Sequence, residues 1–151
     1  MLEVILKPVT KLNWNDALGI ELRPDQQKIL PSATFFLARA YIRPDNEIAA
    51  PFLIYDQNKP VGFFCLDYNP NANSTFWICG FMIDKKYQRQ GYGKATLVKL
   101  IEYLKVNHKH CTTLGLTVDP RNIAAQNLYK DFGFKDTSEV FRGELIWKMA
   151  I

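Results

Sequence analysis

The sequence predicts an α/β (α+β) fold, with a central, mostly antiparallel mixed sheet of about seven strands flanked by about four helices. Between positions 51 and 83, strand-like runs are separated by short polar turns, which is typical of antiparallel hairpins. From position 75 onwards, two strand-like runs are each followed by a turn and an amphipathic helical segment. The 151 residues are enough for one domain with its own core, so we assign residues 1–151 to a single domain.

The first part of the chain predicts one strand followed by two helical regions. Residues 2–7 have strand composition and precede a proline. Asn13 is suited to cap a short helix that ends near position 18. A second helical region follows Pro24 and extends to about position 42, with Ser32 as a fresh cap. We expect these helices to cover one face of the sheet.

The middle of the chain predicts three consecutive antiparallel strands. Residues 51–56 and 59–68 flank a hairpin turn, and the polar loop 69–74 leads to strand 4 at residues 75–83. Strand 4 is apolar on both faces, as a central strand should be. Gly80 interrupts this strand, and a glycine within a strand favours a bulge.

The second half of the chain predicts two helices and three further strands. The first helix ends near position 108, and strand 5 covers residues 112–118. The second helix starts within residues 119–122 and stops at Gly133. The remaining segments predict a closing hairpin, with strands at residues 137–141 and 145–149.

Composition and charge exclude several classes of protein. Hydrophobic residues make up 48% and charged residues 23%, which is ordinary for a globular domain. No apolar run approaches the roughly 18 residues of a membrane span, and no charged-then-apolar leader follows the first methionine, so we expect a cytoplasmic protein without a membrane partner. A net charge of +4 is modest for nucleic-acid binding. The cysteines lack metal-ligand spacing and are expected to be reduced core thiols without a metal: Cys65, Cys79 and Cys111.

Residues 88–94 form a glycine-bearing loop between predicted strand 4 and the following helix. Gly91 and Gly93 allow a ligand to approach the backbone closely, and the first N–H groups of a helix have no internal partner. The helix dipole adds roughly half a positive charge there. Basic side chains surround the loop, namely Lys85, Lys86, Arg89 and Lys94. The loop is therefore predicted to hold a phosphate or pyrophosphate.

Two common phosphate-binding motifs do not fit this loop. A P-loop requires glycine at the position of Gln88 and a hydroxyl side chain at the position of Ala95. A dinucleotide-binding fold requires a third glycine where Thr96 stands and an acidic residue about 20 positions further on, whereas the first acid beyond Glu102 is Asp119. The remaining pattern is Gln-x-x-Gly-x-Gly.

This pattern, Gln88-x-x-Gly91-x-Gly93, resembles the acetyl-coenzyme A motif of the GCN5-related N-acetyltransferases (GNAT). A second block, which starts at Asn122, reaches Tyr129 and continues to Gly-Phe at 133–134, resembles another motif of the same family. Both blocks follow predicted strands, in the family's order. Within the family, the segments around Ile-Asp at 83–84 and Gly-Glu at 143–144 are most similar to bacterial spermine/spermidine (diamine) acetyltransferases.

The resemblance implies acetyl-coenzyme A as cosubstrate, bound between splayed strands 4 and 5. A bulge in strand 4 would free backbone groups for the pantetheine arm, and Tyr129 would act as general acid towards the departing thiolate. The cofactor-binding positions implied are Phe81, Met82, Ile83, Gln88, Arg89, Gln90, Gly91, Tyr92, Gly93, Lys94, Asn122 and Tyr129.

The expected acceptor is a small primary amine, with spermine or spermidine favoured. Glu144 and Glu21 are the expected substrate carboxylates, in that order. Strand 4 offers Cys79 and Gly80 where family members often carry a catalytic carboxylate, so the general base stays open among Glu144, Glu21, Asp67 and Asp119. Other acceptors also stay open: a protein N-terminus, an amino sugar or an aminoacyl-tRNA. So does a non-catalytic acetyl-coenzyme A-binding module. A homodimer is compatible with the sequence.

Overall fold

The computed structural model describes residues 2–71 and 74–151, so Ala72 and Asn73 of the predicted loop 69–74 lie outside the described residues. Within the described residues, no helix is both long enough and apolar enough to cross a lipid bilayer. The elements of the described part of the chain are, in order, β1 (Ile5–Pro8), α1 (Trp14–Leu18), α2 (Pro24–Gln27), α3 (Ala33–Ile42), β2 (Ile48–Asp56), β3 (Lys59–Tyr68), β4 (Thr75–Ile83), α4 (Tyr92–Asn107), β5 (Thr113–Val118), α5 (Ile123–Phe132), β6 (Lys135–Phe141) and β7 (Glu144–Ala150).

The strands form one seven-stranded sheet in the order β1-β2-β3-β4-β5-β7-β6. All neighbouring pairs are antiparallel except β4 and β5, which are parallel and are connected through α4. The predicted mixed sheet is confirmed, as are the bounds of β3 and β4.

The N-terminal helices differ from the prediction. The region after Pro24 forms two helices rather than one, since the chain leaves helical geometry before Pro31, a residue that disfavours a helical conformation in its predecessor. The described residues therefore contain five α-helices where about four were expected. Asn13 precedes α1, but its side-chain oxygen accepts a hydrogen bond from the Thr10 N–H and caps no N–H of the helix.

Two apolar cores lie on opposite faces of the sheet. The larger packs α4 and α5 against the sheet and includes Leu97, Leu104 and Leu116. The smaller packs α1 and α3 on the other face and includes Phe36 and Phe63. Because side chains alternate along a strand, odd-numbered residues at the start of β4 face the α3 side and even-numbered ones face α4.

β4 carries the bulge that Gly80 predicts. Cys79 pairs with Cys65 and Met82 pairs with Phe63, so two residues of β4 oppose one residue of β3. Gly80 has φ of +60°, a conformation that side-chain-bearing residues rarely adopt. Beyond the bulge, the alternation of β4 is reset, and the Met82 side chain joins the core under α3.

Candidate active site

A cleft opens where β4 and β5 separate. The two strands pair only from Thr75–Thr113 to Ile78–Leu116, although β4 continues to Ile83 and β5 to Val118. The bulge begins two residues after the last pair. Backbone groups on the facing edges of both strands are therefore available to a ligand that enters the cleft.

The N-terminus of α4 closes one end of this cleft and offers unpaired N–H groups. The first hydrogen bond that enters the helix runs from the Ala95 N–H to the Gly91 carbonyl oxygen, over 3.1 Å. Among the described residues, no acceptor pairs with the N–H groups of residues 89–94. Gly91 has φ of +92°, and a Cβ atom there would meet only the Leu2 side chain, at 3.3 Å. This geometry fits the pyrophosphate of acetyl-coenzyme A.

Several side chains of the loop hold the fold rather than point towards a ligand. The Gln88 side chain donates to the Ile83 carbonyl oxygen, over 2.9 Å, and exchanges hydrogen bonds with Gln26 of α2. Tyr92 is buried, and its hydroxyl donates to the Asp56 carboxylate. These residues can contribute backbone groups to a cofactor, while Arg89 and Lys94 are exposed.

Gly93 serves the packing of the two helices. A Cβ atom at this position would lie 2.9 Å from the Leu128 side chain of α5. The absence of a side chain at Gly93 therefore lets α4 and α5 approach closely. The sequence predicted that both glycines let a ligand approach the backbone, but only Gly91 has the open surroundings for this role.

Tyr129 of α5 lies beside β4. Its ring centroid is 6.5 Å from that of Phe81, one of the two residues in the bulge. Burial raises the pKa of the Tyr129 phenol above its ordinary value, so the group stays protonated at neutral pH. Among the described residues, the hydroxyl has no hydrogen-bond partner. Asn122 caps α5 by accepting from the Ala125 N–H, over 3.1 Å.

Polar side chains of the flanking strands lie on the α3 side of the sheet, near the point where β4 and β5 separate. Thr117 of β5 lies just beyond the last β4–β5 pair and donates to the Glu144 carboxylate of β7, over 3.2 Å. Across the cleft, the Cys79 thiol donates to the Asp67 carboxylate of β3, over 3.4 Å. The strand order places Asp67 and Glu144 on opposite sides of the cleft.

Asp67 is a buried charge with an incomplete set of partners. It is 2% exposed and forms an ion pair with Arg39 of α3. The hydrogen bond that Arg39 donates to the Asp67 carboxylate is the largest influence on the guanidinium and raises its pKa. In the described part of the chain, Asp67 Oδ1 and Arg39 Nη1 are buried without hydrogen-bond partners. Burial raises the pKa of the Cys79 thiol, so Cys79 is neutral.

Glu21 lies at the rim of a second pocket on the same side of the sheet. This pocket has a volume of about 480 Å³ and lies between the loops around α1 and α2 and the Met82 side chain. The Glu21 carboxylate pairs with Lys85, over 3.1 Å. Buried Asp84 accepts from the Glu21 N–H and so ties this loop to the end of β4.

The remaining candidate base, Asp119, is held in a bidentate pair with Arg121, at 2.7 and 2.9 Å. The hydrogen bonds from Arg121 lower the pKa of Asp119 to about 2. A carboxylate with so low a pKa is a poor proton acceptor, which leaves Asp67, Glu144 and Glu21 as the candidate bases.

Comparison with known proteins identifies the family. The family model described as the acetyltransferase (GNAT) family matches residues 12–134. The chain belongs to the GNAT family. It is therefore an N-acetyltransferase. The glycine motif at residues 88–93 and the second motif at residues 122–134 both lie within the matched range.

Individual GNAT proteins are similar over nearly the whole chain. A spermine/spermidine N(1)-acetyltransferase of Bacillus subtilis is 30% identical over 96% of this chain and 97% of its own length. An N-alpha-acetyltransferase 30 of Saccharomyces cerevisiae is 26% identical over 93% of this chain and 81% of its own. A GNAT acetyltransferase of Elizabethkingia anophelis, solved with acetyl-coenzyme A bound, is 18% identical with a TM-score of 0.68 and covers 99% of both chains.

Sequence reasoning missed the contribution of α3 to this site. Phe36 packs against Gly80, and Arg39 pairs with Asp67, although neither helix residue belongs to a recognisable motif. One signal was present in the sequence. An aspartate that ends the apolar run 61–66 of a central strand must be buried, and a buried carboxylate requires a cationic partner.

Proposed function

We propose that this GNAT enzyme transfers the acetyl group of acetyl-coenzyme A to a small primary amine, and that polyamines such as spermidine and spermine are its preferred acceptors. One observation supports this proposal above the others: the cleft between β4 and β5 has free N–H groups at one end and carboxylates on both flanks. The 30% identity to a spermine/spermidine acetyltransferase supports the choice of acceptor.

The cofactor would lie along β4. The N–H groups of the loop 88–94 would bind its pyrophosphate, with the helix dipole and Lys94 adding positive charge. Backbone groups of residues 81–83 would bind the pantetheine arm. Asn122 and Tyr129 would contact the arm from the other side of the cleft, where β5 is followed by α5. Bound acetyl-coenzyme A supplies an activated thioester.

The first chemical requirement is a neutral amine. An alkylamine of pKa about 10.4 is uncharged in roughly one molecule in 2,500 at pH 7, a deficit of about 4.6 kcal/mol. Cys79 replaces the strand carboxylate that many family members use, and it is neutral because burial raises its pKa. The proton would therefore leave through water to one of the remaining candidate bases, Glu144, Glu21 or Asp67.

The second requirement is to stabilise charge as the amine attacks. A free N–H of β4 near Ile83 would donate to the carbonyl oxygen as it becomes negative. Tyr129 would then give its phenolic proton to the departing thiolate sulfur. Burial raises the pKa of Tyr129, which keeps that proton in place until the sulfur acquires charge.

The acceptor pocket must be locally acidic because the chain carries a net charge of +4. Glu144, at the start of β7, lies beside Thr117 at the cleft and is the first candidate to hold a distal ammonium. Glu21 is the second candidate and would act from the rim of the pocket near Met82. Its pairing with Lys85 reduces its net charge, so we place it after Glu144.

Acetyl-coenzyme A consumption over a panel of acceptors tests the proposal. The panel contains spermidine, spermine, n-butylamine, an amino sugar and a peptide with a free N-terminus. The peptide is included because one relative is an N-alpha-acetyltransferase at 26% identity. We expect the highest kcat/KM with spermidine or spermine. A higher value with the peptide or the amino sugar would overturn the assignment of a polyamine acceptor.

A further inference from the structure

We infer that the carboxylates of Asp45, Glu47 and Asp67, arranged around Arg39, form a subsite for a non-reacting ammonium group of the acceptor. Such a subsite selects diamines and polyamines over monoamines. The inference rests on the proposed function, because the group held there belongs to the same acceptor molecule. It adds a second anchoring point, on the β3 side of the cleft, to the one proposed at Glu144.

The three carboxylates converge at the C-terminal end of α3. One oxygen atom from each lies within 4.8 Å of the other two. Arg39 Nη2 bonds to the Asp67 carboxylate and lies 3.4 Å from Asp45 Oδ2. Three carboxylates and the Arg39 guanidinium carry a net charge of −2, and the Arg43 guanidinium lies nearby, where it donates to the Glu47 carbonyl oxygen. The pKa of Glu47 is raised by burial and by the charges of Asp45 and Asp67, in agreement with this excess of negative charge.

An unused acceptor atom lies at the centre of the cluster. Asp67 is 2% exposed, and its Oδ1 has no hydrogen-bond partner among the described residues. Nη1 of Arg39, in the same ion pair, is also buried without a partner in the described part of the chain. Buried polar atoms are nearly always paired in folded proteins. An ammonium group supplies the N–H donor that this oxygen lacks, and its charge offsets part of the excess at the cluster.

The cluster is adjacent to the reaction cleft and also reaches solvent. Asp67 Oδ2 is 3.4 Å from the Cys79 sulfur, and Cys79 directly follows the last residue of β4 that pairs with β5. At the other side of the cluster, the Asp45 side chain is 48% exposed. The subsite requires the short alkyl spacer of a diamine to extend from the cleft towards these carboxylates.

The arrangement favours an ammonium ion over a divalent metal. Ca²⁺ and Mg²⁺ require at least six ligands, mainly oxygens, around a compact charge. Here the guanidinium of Arg39 lies among the carboxylates and would repel such an ion at close range. An ammonium group is singly charged and donates directional hydrogen bonds, so it can bind among the carboxylates beside Arg39.

Steady-state kinetics with spermidine and n-butylamine test the subsite, because the two amines share an aminobutyl end and differ in distal charge. Glu47→Gln is the main variant, since Glu47 is outside the ion pair with Arg39 and its replacement should leave the fold intact. Asp67→Asn is a second variant, checked for folding by circular dichroism. Glu102→Gln, on the distant face of α4, is the matched control. We expect the KM for spermidine to rise roughly tenfold in Glu47→Gln, with the KM for n-butylamine unchanged.

The possible results separate this inference from the proposed function. If folded Glu47→Gln and Asp67→Asn keep the wild-type KM for spermidine, the subsite is wrong although the enzyme acetylates amines. If the wild-type chain acetylates no amine, the proposed function fails, and calorimetry of spermidine binding in the presence of coenzyme A decides the inference. Binding that weakens in Glu47→Gln supports the subsite, and absence of binding overturns it. Titration with CaCl₂ and MgCl₂ adds a third arm. If a metal binds in a Glu47-dependent way while Glu47→Gln leaves the KM for spermidine unchanged, the cluster is a metal site and the ammonium subsite is wrong.

Discussion

The Phe36 ring of α3 lies directly against the backbone of Gly80 in β4. A Cβ atom built on Gly80 would be 2.6 to 2.8 Å from three atoms of that ring. Gly80 is also the residue of positive φ in the bulge that follows the last β4–β5 pair. A helix on one face of the sheet thus fixes the point at which the strands separate, and with it the cleft.

Gly80→Ala should therefore destabilise the chain strongly. A positive φ costs a side-chain-bearing residue about 1–2 kcal/mol, and overpacking against Phe36 adds roughly 1–3 kcal/mol. Gly143→Ala is the matched control, because Gly143 has φ of +82° with no atom within 4 Å of an added Cβ. Chemical denaturation should show a clearly larger loss of unfolding free energy for Gly80→Ala. Equal losses in the two variants would mean that Phe36 does not constrain the bulge.

Binding of acetyl-coenzyme A should stabilise the fold, and Gly91→Val should abolish that stabilisation. Ligand at 100 times its dissociation constant adds about 2.7 kcal/mol to the free energy of unfolding. Valine at Gly91 would resist the φ of +92° and would block the phosphate. Gly143→Val places the same side chain at a similar φ beside β7, which β5 separates from β4, and should retain the full thermal shift. NAD and ATP should give no comparable shift in the wild type, and a retained shift in Gly91→Val would refute the loop assignment.

Tyr129→Phe should lower kcat by about 10²- to 10⁴-fold while leaving the affinity for acetyl-coenzyme A unchanged, because only the donated proton is lost. The pH dependence gives a second readout. A general acid must be protonated, and burial raises the pKa of Tyr129 above its ordinary value of about 10. Wild-type kcat should therefore show no loss from Tyr129 ionisation between pH 7 and 10.

Tyr103→Phe provides the control for this experiment, since Tyr103 is a half-buried tyrosine of α4 whose pKa is also raised by burial. Its kcat should match the wild type. If chemistry is shown to limit turnover and Tyr129→Phe loses less than about threefold, Tyr129 is a packing residue.

The sequence predicted the parts of this fold that rest on local patterns. The apolar run of β4, the turn between β2 and β3, and the glycine that stops α5 are each determined by neighbouring residues, and each was placed correctly. The bulge followed from one glycine in a central strand. The two motif blocks then indicated the family, which the comparisons confirm.

Features that depend on distant contacts could not be predicted. Arg39 and Asp67 are 28 positions apart, and their pairing depends on how α3 crosses the sheet. The side chain of Gln88 binds Gln26, which is 62 positions away, although the motif suggested a ligand-facing role. Local propensity contains no information on such long-range pairs. Pairs such as Arg39–Asp67 decide which carboxylates are free to act on a substrate.

Glu144→Gln should raise the KM for spermine about tenfold, equivalent to about 1.4 kcal/mol, because it removes a negative charge and keeps the shape of the side chain. The Thr117 hydroxyl can still donate to the amide oxygen, so the local geometry should survive the change. The KM for acetyl-coenzyme A should stay constant, since the cofactor is proposed to lie along β4 and not against β7. Glu139→Gln, an exposed change on the neighbouring strand β6, should leave both constants at their wild-type values. An unaltered KM for spermine in Glu144→Gln, or equal kcat/KM for spermine and n-butylamine in the wild type, would show that Glu144 does not hold a distal ammonium group.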